Sequence, residues 1–379
     1  MSGAHEALPT SGGARAQAPV ALVYSSHAGS AERADPIELL RSASLGIVDA
    51  IPIARLGALD SIKLVERWRR LGARAIIAAG GDGSVGTVAT IAGQADLPLG
   101  ILPFGTSNDI ARALALPVDV AAAARLISDC LALGEERLID AGELVPTPDA
   151  PASARSNVLA GGYFLHALTL GLNVEFARLA TDANQRLRWG KLTYLASALG
   201  SLSRLPSIPV TLSVEGMVGA PDGVTQTITA NAALLAAINL PIFGGWLQLR
   251  LPAVREDDHL LDFILIEAPA PPTQADMAAA LESILVALTS GERETRSLER
   301  GALPGGRWFR ARAVNIATPQ PVEITLDGEL RGRTPAIVRV APRPARILAP
   351  HARVAPRATL ERDSSVTTTD VGEHLSGLF

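Results

Sequence analysis

The sequence predicts an α/β domain with a parallel sheet, followed by a β-sandwich. Three observations carry this. Strand-like apolar runs alternate with helical spacings from about residue 20 to residue 133. Short strand-like runs separated by turn residues fill the chain after Arg137. Two glycine-bearing loops directly follow strands of the first part. Alternating strands and helices imply a parallel sheet covered on both faces, and many short strands with intervening turns imply a sandwich. Open α/β sheets bind ligands beyond the carboxyl ends of their strands, which is where both loops fall.

The elements follow in order. Residues 1–18 are rich in Ala, Gly, Ser and Pro without periodicity, and are expected to be a disordered tail. Val20 to Tyr24 is the first strand. Ser61 to Leu71 places Ile62, Leu64, Val65 and Trp68 at helical spacing. A strand over 74–79, a helix over 84–92 and a strand over Leu99–Leu102 come next. A helix from about Ser107 to Leu116 ends at Pro117, and one from Val120 to Leu133 closes at Gly134. This bounds a first domain at 19–136. Strands are then expected at 138–140, 158–160, 209–214, 225–229, 232–238, 263–267, 313–316 and 322–326. Helical insertions are expected at 187–202 and 272–290. The second domain spans 137–350, and 351–379 reads as another disordered tail.

Composition narrows the function. The chain has 379 residues, a net charge of -4 and 48% hydrophobic residues, enough for two cores. No basic arm or aromatic-interleaved Lys/Arg stripe marks a nucleic-acid partner. Cys130 is the only cysteine, which excludes an internal disulfide, and its neighbours Leu126, Ile127 and Leu131 suit a core thiol. No apolar run is long enough to span a bilayer. With no charged-then-apolar leader, a cytoplasmic protein is expected.

The chemistry concentrates in the loops. Gly80-Gly81-Asp82-Gly83 follows the apolar run 74–79, and the next residues can form a helix. Glycines let backbone N–H groups approach a phosphate at a helix N-terminus. A carboxylate there repels phosphate unless a cation bridges them, so Asp82 points to Mg²⁺–nucleotide. Glycine also serves ordinary turns. In the second loop, Pro103 to Arg112, Thr106 and Ser107 can donate to phosphate or cap a helix, and Asn108 and Asp109 are good caps as well. Thr325-Leu326-Asp327-Gly328-Glu329 is a strand end with a turn. Gly328 can swing a carboxylate out of the sheet, although Asp-Gly is also a common hairpin turn. Arg255 to Asp262 is dense in carboxylates, which suits either a hard cation or a solvated acidic loop.

Taken together, these motifs resemble the diacylglycerol-kinase-like lipid kinases, the family of diacylglycerol, sphingosine and bacterial lipid kinases. Its first loop usually reads G-G-D-G-T, matched at Gly80, Gly81, Asp82 and Gly83, with Ser84 for threonine. Its second, P-x-G-T-x-N-D-x-A-R, is matched at every fixed position, including Gly105, Thr106, Asn108 and Asp109. The resemblance covers about residues 19–350. It implies an ATP-dependent lipid kinase that uses Mg²⁺, acts at the inner membrane surface and accepts a lipid hydroxyl. Diacylglycerol, sphingoid base, ceramide and phosphatidylglycerol are equally compatible. The family's D-G-E implies Glu329 as proton acceptor, with Asp327 as a Mg²⁺ or charge partner and Asp82 as the next candidate base. Its D-D-G-x-L-D implies a structural Mg²⁺ held by the Asp258 carboxylate and the Arg255 and Leu260 carbonyls, with His259 replacing the glycine.

The chain also departs from the pattern. Ser25-Ser26-His27-Ala28-Gly29 stands where N-P-x-S-G is usual, keeping only Gly29. Thr87 stands where a glutamate is usual. A catalytically silent relative is therefore one alternative. The NAD kinases, which share G-G-D-G and a β-sandwich but lack the second loop and the late D-G-E, are another. Arg186, Arg188, Trp189 and Lys191 could meet a membrane surface or simply lie on an amphipathic helix. His27 and His166 lack ligand-spaced partners. A homodimer is left open.

Overall fold

The computed structural model describes residues 18–25, 35–58, 61–147, 162–171, 206–243, 249–251, 254–268 and 306–351. Gly29, the strand expected at 158–160, both helical insertions with Trp189, the stretch 244–248, and the tails apart from Ala18 and His351 lie outside the described residues.

The first lobe runs β1 (Ala18–Tyr24), α1 (Pro36–Ser42), β2 (Leu45–Pro52), α2 (Ser61–Arg70), β3 (Ala75–Gly80), α3 (Asp82–Ala95), β4 (Leu99–Pro103), α4 (Asp109–Ala113), α5 (Val120–Leu133) and β5 (Arg137–Ile139). The strands β1 to β4 are parallel, in the order β2-β1-β3-β4. Alternation in β1 explains the two layers. Ala21 and Val23 pack with Trp68, Ile76 and Val88 on one face, while Val20 and Leu22 pack with Ile77, Ile127 and Leu131 on the other. Cys130 belongs to the second layer, where burial pushes its thiol up to about 11, so it is a core residue and no nucleophile at neutral pH.

The second lobe contains β6 (Gly142–Pro146), β7 (Gly162–Phe164), β8 (Ala167–Gly171), β9 (Ile208–Glu215), β10 (Gln226–Ile238), β11 (Ile242–Phe243), β12 (Leu249–Arg250), β13 (Leu261–Glu267), β14 (Gly306–Ala311), β15 (Ala313–Ala317), β16 (Glu323–Leu326), β17 (Glu329–Arg333) and β18 (Ala336–Val340). Apart from the β11–β12 ribbon, these strands form one antiparallel system, β17-β16-β8-β10-β9-β15-β18-β6-β7, which branches at β10 to β13 and β14. The long β10 pairs with β9 through its first half and with β8 and β13 through its second; its register with β13 shifts between Ala232 and Leu234. Phe164, Leu168, Leu212, Phe263 and Phe309 fill the core. The last two rings stack at 5.2 Å, in a β-sandwich-like lobe.

Two segments expected in the sandwich pair in the first sheet instead. Ile347 of β19 (Ala345–Ile347) lies beside Leu99 of β4, and β5 closes that edge antiparallel to β19. A short alternating segment reads identically in either sheet, so its partner is decided by packing. The strand β2 also went unread, because Gly46, Asp49 and Pro52 weaken its β signal on a half-exposed edge. Ahead of it, Asp35 caps α1, accepting from the Ile37 N–H at 2.9 Å. The helix expected over 107–116 is only α4, since Asn108 and Ala115 adopt left-handed φ values of 51° and 55°.

Candidate active site

The two glycine loops are one structure. Asp82, the first residue of α3, reaches across to the second loop. Its Oδ1 accepts from the Ile110 N–H at 2.9 Å and its Oδ2 from the Asp109 N–H at 3.1 Å. Asp82 thus caps α4, the role the sequence offered to Thr106, Ser107, Asn108 and Asp109. Asn108 shapes the second loop instead: Oδ1 accepts from the Gly105 N–H, and Nδ2 donates to the carbonyls of Gly105 and Pro103. Gly81 and Gly105 touch backbone to backbone. A Cβ on Gly105 would sit 2.5 Å from the Gly81 Cα, so this approach requires glycine. Gly81 is the N-cap of α3 and supplies no side-chain cap of its own. The half-exposed first turn of α3, Asp82 to Ser84, therefore presents N–H groups and the positive end of a fourteen-residue helix.

One face of α3 carries only small residues: Gly83, Gly86, Thr87, Thr90 and Gly93. The second lobe lies on that face. The Glu329 side chain rests against Gly83, the Asp327 carboxylate fills the space a side chain at Gly86 would take, and the Tyr163 ring packs on Gly93. Thr90 Oγ1 accepts from the Tyr163 N–H at 3.0 Å. Three glycines would weaken an isolated helix by about 1 kcal/mol each; here they make the groove that seats the other lobe. This spacing was visible in the sequence, where its signal was a stripe of small residues with no obvious partner.

Asp327 and Gly328 form the two-residue turn between β16 and β17, both with positive φ (48° and 88°), as a primed hairpin turn requires. The hairpin and the displayed carboxylate are thus the same feature. Asp327 is buried and fully used: Oδ2 accepts from the Leu165 N–H, and Oδ1 from those of His166 and Ala167, at 2.9–3.0 Å. Burial pushes its pKa up, while the nearby His166 and these donors pull it back. The geometry does not suit Asp327 as a metal partner; it anchors the turn. Glu329 differs. It is exposed, and no other described residue hydrogen-bonds its carboxylate. Of the three carboxylates expected to be catalytic, Asp82 and Asp327 hold backbone and Glu329 alone is available.

The acidic loop is built around Asp140. Its Oδ2 accepts from the His259 N–H at 2.6 Å, and its Oδ1 lies 2.9 Å from His259 Nδ1. His259 takes a left-handed φ of 58°, a conformation that glycine adopts most readily. Asp258 Oδ2 pairs with the Arg310 guanidinium, Asp258 Oδ1 accepts from the Leu260 N–H, and Arg255 pairs with Asp257 at 3.1 Å. The expected Mg²⁺ at Asp258, Arg255 and Leu260 does not fit this arrangement, because a guanidinium already supplies the cation. Asp262, behind it, accepts from Trp308 Nε1 at 2.8 Å, and burial raises its pKa to about 7. Sequence reasoning passed over Asp140, Arg310 and Arg331; each sits in a strand-like or turn context, with nothing local to mark its distant partner.

A family model of the diacylglycerol kinase catalytic domain matches residues 19–144, and one of the YegS C-terminal NAD kinase β-sandwich-like domain matches 168–349. A diacylglycerol kinase of Mycobacterium tuberculosis is 27% identical, covering 80% of this chain and 85% of its own. A "Probable lipid kinase YegS-like" protein of Xanthomonas axonopodis pv. citri is 30% identical over 68% of this chain and 73% of its own. The crystal structure of a diacylglycerol kinase from Bacillus anthracis superposes with a TM-score of 0.54, covering 88% of this chain and 97% of its own at 18% identity.

Proposed function

The chain belongs to the diacylglycerol-kinase-like lipid kinases, and we propose that it transfers the γ-phosphoryl group of Mg²⁺–ATP to the hydroxyl of a diacylglycerol-class lipid, with Glu329 as general base. Kinase activity with ATP as donor follows from the family; the metal, the acceptor and the residue roles are our reading. The observation that carries it is the available carboxylate of Glu329 lying on Gly83, in the first turn of the helix that follows the glycine loop.

The reaction forms a bond from the lipid hydroxyl oxygen to the γ-phosphorus and breaks the bond to the β–γ bridging oxygen, releasing ADP. The N–H groups at the start of α3, with Gly80, Gly81, Gly83 and Ser84, hold the phosphates, and Gly105, Thr106 and Asn108 shape the opposing wall. When bound, Mg²⁺ supplies the charge neutralisation that backbone dipoles provide only in part. Asp82 locks the two loops together. Glu329 takes the hydroxyl proton as attack begins, and Asp327 holds the turn that displays it.

The named relatives support diacylglycerol as acceptor. No described helix is long and apolar enough to cross a bilayer, and the enzyme meets its substrate at the membrane surface from the cytoplasmic side. The test is labelled ATP offered with a panel of lipids in mixed micelles, products separated by chromatography. A labelled phosphatidic acid supports the reading, and labelling of another lipid alone reassigns the acceptor. No labelled lipid, with ATP bound, favours the silent relative.

A further inference from the structure

The strand that carries Glu329 is irregular. Across β16 and β17, Thr325 pairs with Leu330 and Ile324 with Gly332, which leaves Arg331 as the extra residue of a bulge. Bulges re-aim side chains, and this one aims a guanidinium inward. Arg331 is 8% exposed. Its Nη1 donates to Thr87 Oγ1 at 3.0 Å, and Thr87 Oγ1 donates to the Gly83 carbonyl at 2.9 Å. Its Nη2 lies beside Gly162, where a Cβ would come within 3.3 Å. Gly83 is the residue against which Glu329 rests. The path therefore closes: Glu329 to Arg331 along the strand, Arg331 to Thr87 across the lobes, Thr87 to Gly83, and Gly83 back to Glu329.

Burying a guanidinium is costly, and a well-packed apolar residue would serve stability as well or better. Burial pulls Arg331 down from its usual range, and Asp327 and Glu329 pull it back up, so the cation sits where both carboxylates of the turn feel it. We infer that Arg331 is a positioning residue for phosphoryl transfer, clamping the bulged strand to Thr87 so that Glu329 stays over the first turn of the phosphate-loop helix. The inference rests on Glu329 being the base. It also reassigns Thr87. At a position where the family usually carries glutamate, this chain uses a hydroxyl to receive the clamp.

The test is steady-state kinetics of the full chain with Mg²⁺–ATP and dioleoylglycerol in mixed micelles, for wild type, R331Q, R331K, T87V, R331Q/T87V and E329Q. With E329Q inactive, R331Q should lower kcat by about 10- to 100-fold while the KM for ATP stays within about twofold, the pattern of an interaction needed only in the transition state. T87V should lower kcat less. The double variant should be no worse than R331Q alone, because both remove one contact. R331K should recover part of the loss. Wild-type turnover in R331Q beside an inactive E329Q overturns the inference, as do multiplicative losses in R331Q/T87V. If R331Q does not fold, T87V, which removes only a hydroxyl, reads the clamp alone, and unchanged kcat in it overturns the inference. Near-normal turnover in E329Q instead fails the general-base reading, and the clamp falls with it.

Discussion

Two acidic turns of the second lobe have nearly the same ingredients and end up with different chemistry. At 327–329 and at 257–259, carboxylates adjoin backbone in the left-handed region, at Asp327 and Gly328 in one and at His259 in the other. In the first turn the buried carboxylate is satisfied by three backbone N–H groups, which leaves its neighbour Glu329 available beside the glycine loop. In the second, Arg310 takes Asp258 and Arg255 takes Asp257, so both acids of the turn are paired. Composition alone cannot separate a turn proposed as catalytic from a structural one. What separates them is which carboxylate finds its donors inside the protein.

That contrast can be broken by experiment. The largest expected effect is at Glu329. E329Q keeps shape and loses basicity, so kcat should fall by about 10²–10⁴-fold with ATP affinity by calorimetry preserved; near-normal turnover would erase the distinction between the turns. Next comes Asp327. D327A leaves three buried N–H groups without an acceptor and should cost about 3 kcal/mol in urea unfolding, together with activity. A loss below about 0.5 kcal/mol would remove its anchoring role.

The strand behind the second turn should answer to pH. Asp262 has its folded pKa raised from the ordinary 3.8 to about 7. Between these values the folded state holds the proton more tightly than the unfolded one. Its contribution is therefore most favourable below about pH 4 and is lost as pH rises to about 7. D262N should remove this slope, gaining on wild type by up to about 4 kcal/mol at neutral pH on the scale of 1.36 kcal/mol per unit. Parallel curves would place the proton elsewhere. The smallest effect is a null one. With Arg310 supplying the cation, EDTA should leave the melting temperature of the nucleotide-free protein within about 1 °C, whereas a site that holds Mg²⁺ would lose the stabilisation of a bound ligand. A drop of several degrees restored by Mg²⁺ would return the metal to Asp258.

Much of the fold was legible. The helix α2 came from periodicity and α5 from its closing Gly134, and β1, β3 and β4 from apolar runs. The loops were legible because glycine and Asx residues have backbone preferences that need no partner. What the structure changed are partners and boundaries: β5 and β19 pair in the other sheet, β2 adds an edge strand, and the helix expected over 107–116 is cut to α4.

By itself, the sequence determined the local pieces: a strand feeding a glycine loop and a helix, twice, and an Asp-Gly turn that must display the residue after it. Backbone sterics and side-chain capping act over a few residues, so they can be read from a few residues. Only the tertiary structure decided that the small face of α3 seats the turn, that Arg331 meets Thr87 from 244 positions away, and that of Asp82, Asp327 and Glu329 only the last has no hydrogen-bond partner among the described residues. Those outcomes depend on how two lobes with separate cores settle against each other. Desolvation and hydrogen-bond satisfaction act between surfaces there, and no local propensity encodes which surfaces meet.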